Sequence, residues 1–101
     1  MEILNTGSNA DITVLDQKAI KKKYPEARII VLDDDFNTFE HVANCLETII
    51  PLMSRERAWK LTVEVDGECS AEVWRGPLEQ AEMYHQQLLG EGLTMAPIEK
   101  I

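Results

Sequence analysis

The chain predicts an α+β fold in the order β-α-α-β-α-β, and three observations carry it. An apolar, β-prone run of strand length, Ile29-Ile30-Val31-Leu32, ends on three consecutive carboxylates, Asp33-Asp34-Asp35. Apolar residues recur at three- and four-residue steps in three later segments. Glycine and proline punctuate the gaps, at Pro51, Gly67, Gly76-Pro77 and Gly90. The helices are expected to pack on a small three-stranded antiparallel sheet. At 101 residues the chain is long enough for one domain with a modest core.

Residues 1–25 read as a weakly structured leader and 26–101 as the core domain. In the leader, Gly7-Ser8-Asn9-Ala10 is turn-like and Ile12-Thr13-Val14-Leu15 has the composition of a short strand. Tyr24-Pro25 marks where the domain starts. The first strand is expected at about 28–32 and the first helix at about 38–50. Asn37 is placed as its N-cap, with Glu40 reaching back in a capping box. Phe39, Val42, Leu46 and Ile49 form one apolar stripe, and Pro51 stops the helix.

Ser54 caps a second helix with Glu56 in its first turn, and Ala58, Leu61, Thr62 and Val65 share a face. Residues 61–66 also alternate like a strand, and periodicity alone does not arbitrate. Gly67 is expected to break this element. Cys69, Ala71 and Val73 then alternate as a half-exposed strand up to Trp74. Gly76-Pro77 opens a third helix, with Pro77 at its first position. Glu79 and Glu82 lie near its positive end, and Leu78, Ala81, Tyr84, Leu88 and Leu89 make its stripe. Gly90 ends it, and residues 93–98 form a last strand that Pro97 confines to an edge.

The formal charge of −8 argues against nucleic acid and anionic membranes as partners. Residues 1–26 balance four acids with four lysines, so all of the excess falls on 27–101, with fourteen acids against six bases. Cationic partners are favoured. No segment approaches bilayer length and the N-terminus lacks signal-peptide order, so a cytoplasmic protein is expected. Two cysteines, Cys45 and Cys69, make no disulfide framework, and buried free thiols are expected.

Three carboxylates between a core strand and the positive end of a helix repel one another. They need a cation, backbone donors or water, and their ligand is expected to be positively charged. A phosphate-binding loop is missing, which excludes nucleotide hydrolysis of that type. A magnesium-holding receiver domain also starts with such a strand, but it needs a later strand ending in a phosphoacceptor aspartate. His41 and Cys45 make at most half a metal site, and neither Cys69 nor His85 brings a partner at ligand spacing. With no catalytic arrangement in view, no enzyme, metal or cofactor is expected. Trp59 and Trp74 are read as packing residues.

The element order and the junction Asp33-Asp34-Asp35-Phe36-Asn37-Thr38-Phe39-Glu40 resemble ClpS, the adaptor of the bacterial ATP-dependent Clp protease. In that family a variable leader precedes a strand running into Asn-Asp-Asp-aromatic-Thr-Pro-Met-Glu. Two helices, a strand, a third helix and a last strand follow. The resemblance covers about residues 24–100, and the ending Pro97-Ile98-Glu99-Lys100 strengthens it. It implies a non-enzymatic adaptor that binds the free first residue of substrate proteins, the N-degron, and delivers them to a Clp AAA+ unfoldase, ClpA or ClpC. It implies that Asp33, Asp34, Asp35, Asn37 and Asp66 hold the substrate's α-ammonium. Phe39, Val42, Thr62, Val65 and Thr94 would wall the side-chain pocket, with Met95 beside Thr94. It also implies a helix, ending near Asp66, where periodicity was ambiguous.

The departures are specific. Asp33 replaces the family's Asn and Asp66 its His, which shifts ammonium binding toward charge. Phe39 replaces a gating Met, and Thr62 makes another wall smaller and more polar. Asp66 to Ala71 looks two residues shorter than usual. Pro77-Leu78-Glu79-Gln80-Ala81-Glu82 lacks the family's Glu-x-Ala-Glu-x-Lys, so unfoldase contact through Glu79 and Glu82 rests on the resemblance alone. Altered first-residue preference is expected in a monomeric adaptor. The alternatives are a module of this fold that binds another cationic surface and, more remotely, the receiver-type metal domain.

Overall fold

The computed structural model describes residues 25–101. The leader, apart from Pro25, lies outside the described residues, as does the short strand expected at 12–15. Strand β1 (Glu26–Leu32) is central, with β2 (Ser70–Pro77) on one side and β3 (Glu99–Lys100) on the other, both antiparallel to it. Helices α1 (Phe39–Ile49), α2 (Arg55–Glu68) and α3 (Leu78–Gly90) pack on one face. The α+β class and the element order are as expected. An antiparallel sheet also rules out the receiver alternative, which is a doubly wound parallel fold.

Alternation builds the sheet. Ala27, Ile29 and Val31 of β1 are buried beneath the helices, together with Ala71 and Val73 of β2. Ile29 pairs with Trp74 but Ile30 pairs with Glu72, so Val73 is an extra residue, a bulge. The bulge resets the alternation, and beyond it Trp74 and Gly76 lie opposite Ile29 and Ala27. Trp74 meets Tyr84 of α3 edge to face, with centroids 5.1 Å apart. On the other face the Arg28 guanidinium bridges Glu72 at 3.1 Å and Glu99, and Arg75 joins Glu72 at 2.9 Å. The charges thereby tie all three strands together.

The helices form where their apolar stripes predict, but several ends differ. Thr38, not Asn37, caps α1, its hydroxyl accepting from the His41 N–H at 3.1 Å. Asn37 is drawn instead into the preceding loop. Ser54 caps α2 by accepting from the Arg57 N–H at 3.0 Å. The ambiguous segment is helical because Ala58, Leu61, Thr62 and Val65 are all buried at helical spacing. The one buried polar residue among them is satisfied, since the Thr62 hydroxyl donates to the Ala58 carbonyl at 2.8 Å. Gly67 does not break this helix; it continues to Glu68, and Cys69 turns the chain in the left-handed region at φ 71°.

Pro77 is the last residue of β2 and caps α3 rather than opening it. Gly90 is still helical, and the left-handed turn falls on Gly92 at φ 89°. The strand expected over 93–98 is displaced to Glu99–Lys100. Upstream of it, the Leu32 N–H donates to the Thr94 carbonyl at 2.8 Å and the Ala96 N–H to the Ile30 carbonyl at 3.1 Å. Pro97, with no N–H to give, interrupts the ladder there. Cys45 is buried as expected, but Cys69 is exposed. Phe39 and Leu89, placed on apolar stripes, are about half exposed.

Candidate functional site

The loop between β1 and α1 is built around one carboxylate. Asp34 Oδ1 accepts from the backbone N–H groups of Phe36 at 2.9 Å and Asn37 at 2.8 Å. Its Oδ2 accepts from Asn37 Nδ2 and from the Thr94 hydroxyl, each at 2.7 Å. The Asn37 N–H and the Thr94 hydroxyl, then the Asn37 amide and the Phe36 N–H, hold the Asp34 carboxyl well below the usual carboxylate range. Desolvation opposes them only in part. A carboxylate has about four lone-pair sites. All are occupied here, so Asp34 is ionised and already saturated with donors.

Two distant segments converge on this loop, one just after α2 and one after α3. The Asp33 N–H donates to the carbonyl of Cys69, just beyond α2, at 3.0 Å. Asn37 Nδ2 also donates to the Gly92 carbonyl at 3.0 Å, and Thr94 supplies its hydroxyl from the segment after α3. Between them lies a cavity of about 50 Å³. Val31, Val42, Val65 and Leu93 give it apolar walls, Thr62 a buried hydroxyl, and Phe39 a half-exposed ring. Asp33, Asp34, Asp66, Asn37 and Thr94 complete the lining with polar groups.

Of the residues singled out from sequence, Asp33, Asp34, Asn37, Phe39, Val42, Thr62, Val65, Asp66 and Thr94 all line this one cavity. Asp35 is exposed and does not line it. Met95 is half-buried and bridges to Val31 without lining it. Glu79 and Glu82 are exposed on α3. Sequence reasoning missed Val31, Leu32 and Leu93 as lining. It also missed the bond from Asn37 to Gly92, for which the Glu91-Gly92 turn was the available signal. With Asp34 saturated, Asp33 and Asp66 are the carboxylates left to meet a cation, with the Asp34 charge beside them. Among the described residues, no group of three or more His, Cys, Asp or Glu is placed to hold a metal ion. No described helix is long and apolar enough to cross a membrane.

A family model described as ATP-dependent Clp protease adaptor protein ClpS matches residues 22–96. The chain is similar to the ATP-dependent Clp protease adapter protein ClpS of Synechocystis sp., 55% identical over 95 residues, or 92% of this chain and 97% of that protein. It is 59% identical over 83 residues to the ClpS of Thermosynechococcus vestitus, covering 82% of this chain and 88% of that one. The ClpS of Prochlorococcus marinus is 29% identical over 99 residues, 96% of this chain and 93% of that one. On the junction, the fold and these matches, the chain belongs to the ClpS family of non-enzymatic Clp protease adaptors.

Proposed function

We propose that this adaptor binds the free first residue of substrate proteins in the cavity beside Asp34. It then hands them to a Clp AAA+ unfoldase, ClpC or ClpA, in the cytoplasm. The observation that carries the reading is the cavity itself: a small recess with apolar walls from Val31, Val42, Val65 and Leu93, lined also by the exposed Asp33 and Asp66 beside an Asp34 that its four donors hold ionised. An α-ammonium sits at the carboxylates while the side chain of the same residue enters the recess. That pairing of carboxylates with apolar walls suits the beginning of a polypeptide. A module that had lost end recognition would tolerate a filled recess, so the open volume here supports the binding reading.

Cavity size bears on preference. A cavity of about 150 Å³ accepts benzene, and this one is about 50 Å³. Short aliphatic first residues enter it as it stands, whereas aromatic ones require Phe39 to swing aside. Phe39 is 42% exposed, so that movement opens no core. Glu79 and Glu82 on the exposed side of α3 are the proposed contact with the unfoldase.

The test is fluorescence anisotropy of labelled peptides beginning with Leu, Val, Met, Phe, Trp or Arg, each with a free and an acetylated N-terminus. Binding of free peptides that acetylation removes, with Leu ahead of Trp, supports the reading. Equal binding of free and acetylated forms rejects it.

A further inference from the structure

A second recess adjoins the first through a shared wall. Phe39 lines the cavity on one side and, on the other, an open groove of about 660 Å³ with Trp59 and Val63. The Phe39 and Trp59 rings meet edge to face at 6.1 Å. Both rings remain more than two-fifths exposed and Val63 is 56% exposed, an apolar strip facing solvent. Ser54, Glu56, Arg57 and Lys60 form its polar rim.

The charge of that rim is unlike the rest of the domain. Residues 27–101 hold six bases against fourteen acids. Arg28, Arg55 and Arg75 are engaged with glutamates. Among the described residues Arg57 and Lys60 take part in no ion pair, and both line this groove. Arg55 adds its guanidinium 5.8 Å from the Trp59 ring centroid. One acid, Glu56, is set among these cations.

Helical spacing connects the groove to the acidic mouth. Trp59, Val63 and Asp66 follow one another at steps of four and three, a single line along α2. Seven residues of helix rise about 10 Å, and an extended chain covers about 3.4 Å per residue. A peptide whose first residue lies at Asp66 therefore passes Val63 with its second and third residues and reaches Trp59 with its fourth.

We propose that the Phe39–Trp59–Val63 groove receives the substrate residues that follow the first, and that Arg57 and Lys60 select acidic side chains there. The inference rests on first-residue binding in the neighbouring cavity. It makes the adaptor a reader of a short sequence, with an acidic preference opposite to what its net charge of −8 alone would impose.

The experiment is anisotropy with five-residue peptides sharing a Leu first residue, with Glu, Ala or Lys at the next three positions, free or acetylated. The expected order for free peptides is Glu, then Ala, then Lys, with about fivefold between the extremes. The variant carrying Arg57→Glu and Lys60→Glu reverses the order, and a two-residue ligand, too short for the groove, shows none. Trp59→Ala weakens every five-residue peptide but not the two-residue one. If free peptides still beat acetylated ones but ignore these positions, or favour Lys, the groove inference is overturned and first-residue binding stands. If acetylation makes no difference in any series, first-residue binding fails and the groove inference falls with it.

Discussion

The Thr94 hydroxyl donates to Asp34 Oδ2 at 2.7 Å, joining residues sixty positions apart in the chain. This bond closes the cavity between the β1–α1 loop and the segment after α3. Asp34 thus organises the site more than it contacts a ligand, because each of its lone pairs already has a donor.

Asp34→Ala removes the acceptor of four hydrogen bonds and leaves the Phe36 and Asn37 N–H groups without their partner. A loss of about 2 kcal/mol is expected, a fall in Tm of roughly 10 °C, with peptide binding abolished. Thr94→Val removes one donor only and should cost about 1 kcal/mol, with weakened binding. Thermal melts and anisotropy on the two variants check the ranking. Equal, unimpaired binding by both would dissociate Asp34 from the site.

Acid stability follows from the same carboxylate. Its pKa in the fold is depressed below the unfolded value of about 3.9. The stabilisation is therefore complete above that value and is lost as pH falls through the folded pKa. The gap in Tm between the parent and Asp34→Ala should be constant from about pH 5 to 7 and shrink below about pH 4. Peptide binding has a separate upper limit, since an α-amino group titrates near 7.7–8.0. It should fall about tenfold per pH unit above roughly pH 8. A flat profile through pH 9 would mean that the ammonium is not what is bound.

Phe39 is a half-exposed wall of a small cavity, proposed above to swing aside for large first residues. Phe39→Ala should admit large first residues without rearrangement and raise Trp affinity relative to Leu, by about tenfold. The ratio of dissociation constants for the two peptides is the readout. An unchanged ratio would place the size limit elsewhere.

Gly76 lies beneath the Trp74 ring. A Cβ there would clash with Trp74 Cη2 and stand 2.7 Å from Cζ2. Tyr84 also holds the ring, edge to face. Gly76→Ala should cost about 2 kcal/mol, visible as a Tm drop of roughly 10 °C. Adding Trp74→Leu should recover part of it, because the smaller side chain vacates the contact.

Much of this fold was legible because its elements carry their own patterns. The apolar run into Asp33-Asp34-Asp35 marks β1 and its loop; the stripe of α2 matches what is buried, and that of α1 does so at Val42 and Leu46 while Phe39 stays exposed. Element ends were less legible, because tertiary bonds choose between equivalent local options. Asn37 and Thr38 are both good caps, and the bonds of Asn37 to Asp34 and Gly92 leave the cap to Thr38. The bulge at Val73 and the displacement of β3 depend on cross-strand pairing, which leaves no periodic trace. The cavity joins residues near 33, 62 and 94, a convergence that periodicity cannot express and that only the resemblance to ClpS anticipated.

The recess beside Asp34 is proposed to receive the beginning of a substrate chain. Mapping backbone amide shifts by NMR, with a Leu-initiated peptide added in free and acetylated form, tests it most directly. Shifts are expected at the amides of Asp33, Asp34 and Asn37, of Thr62 and Asp66, and of Leu93 and Thr94, with the free peptide alone. Shifts centred on α3 or on the Arg28–Glu72 face of the sheet, or the same shifts with the acetylated peptide, would contradict it.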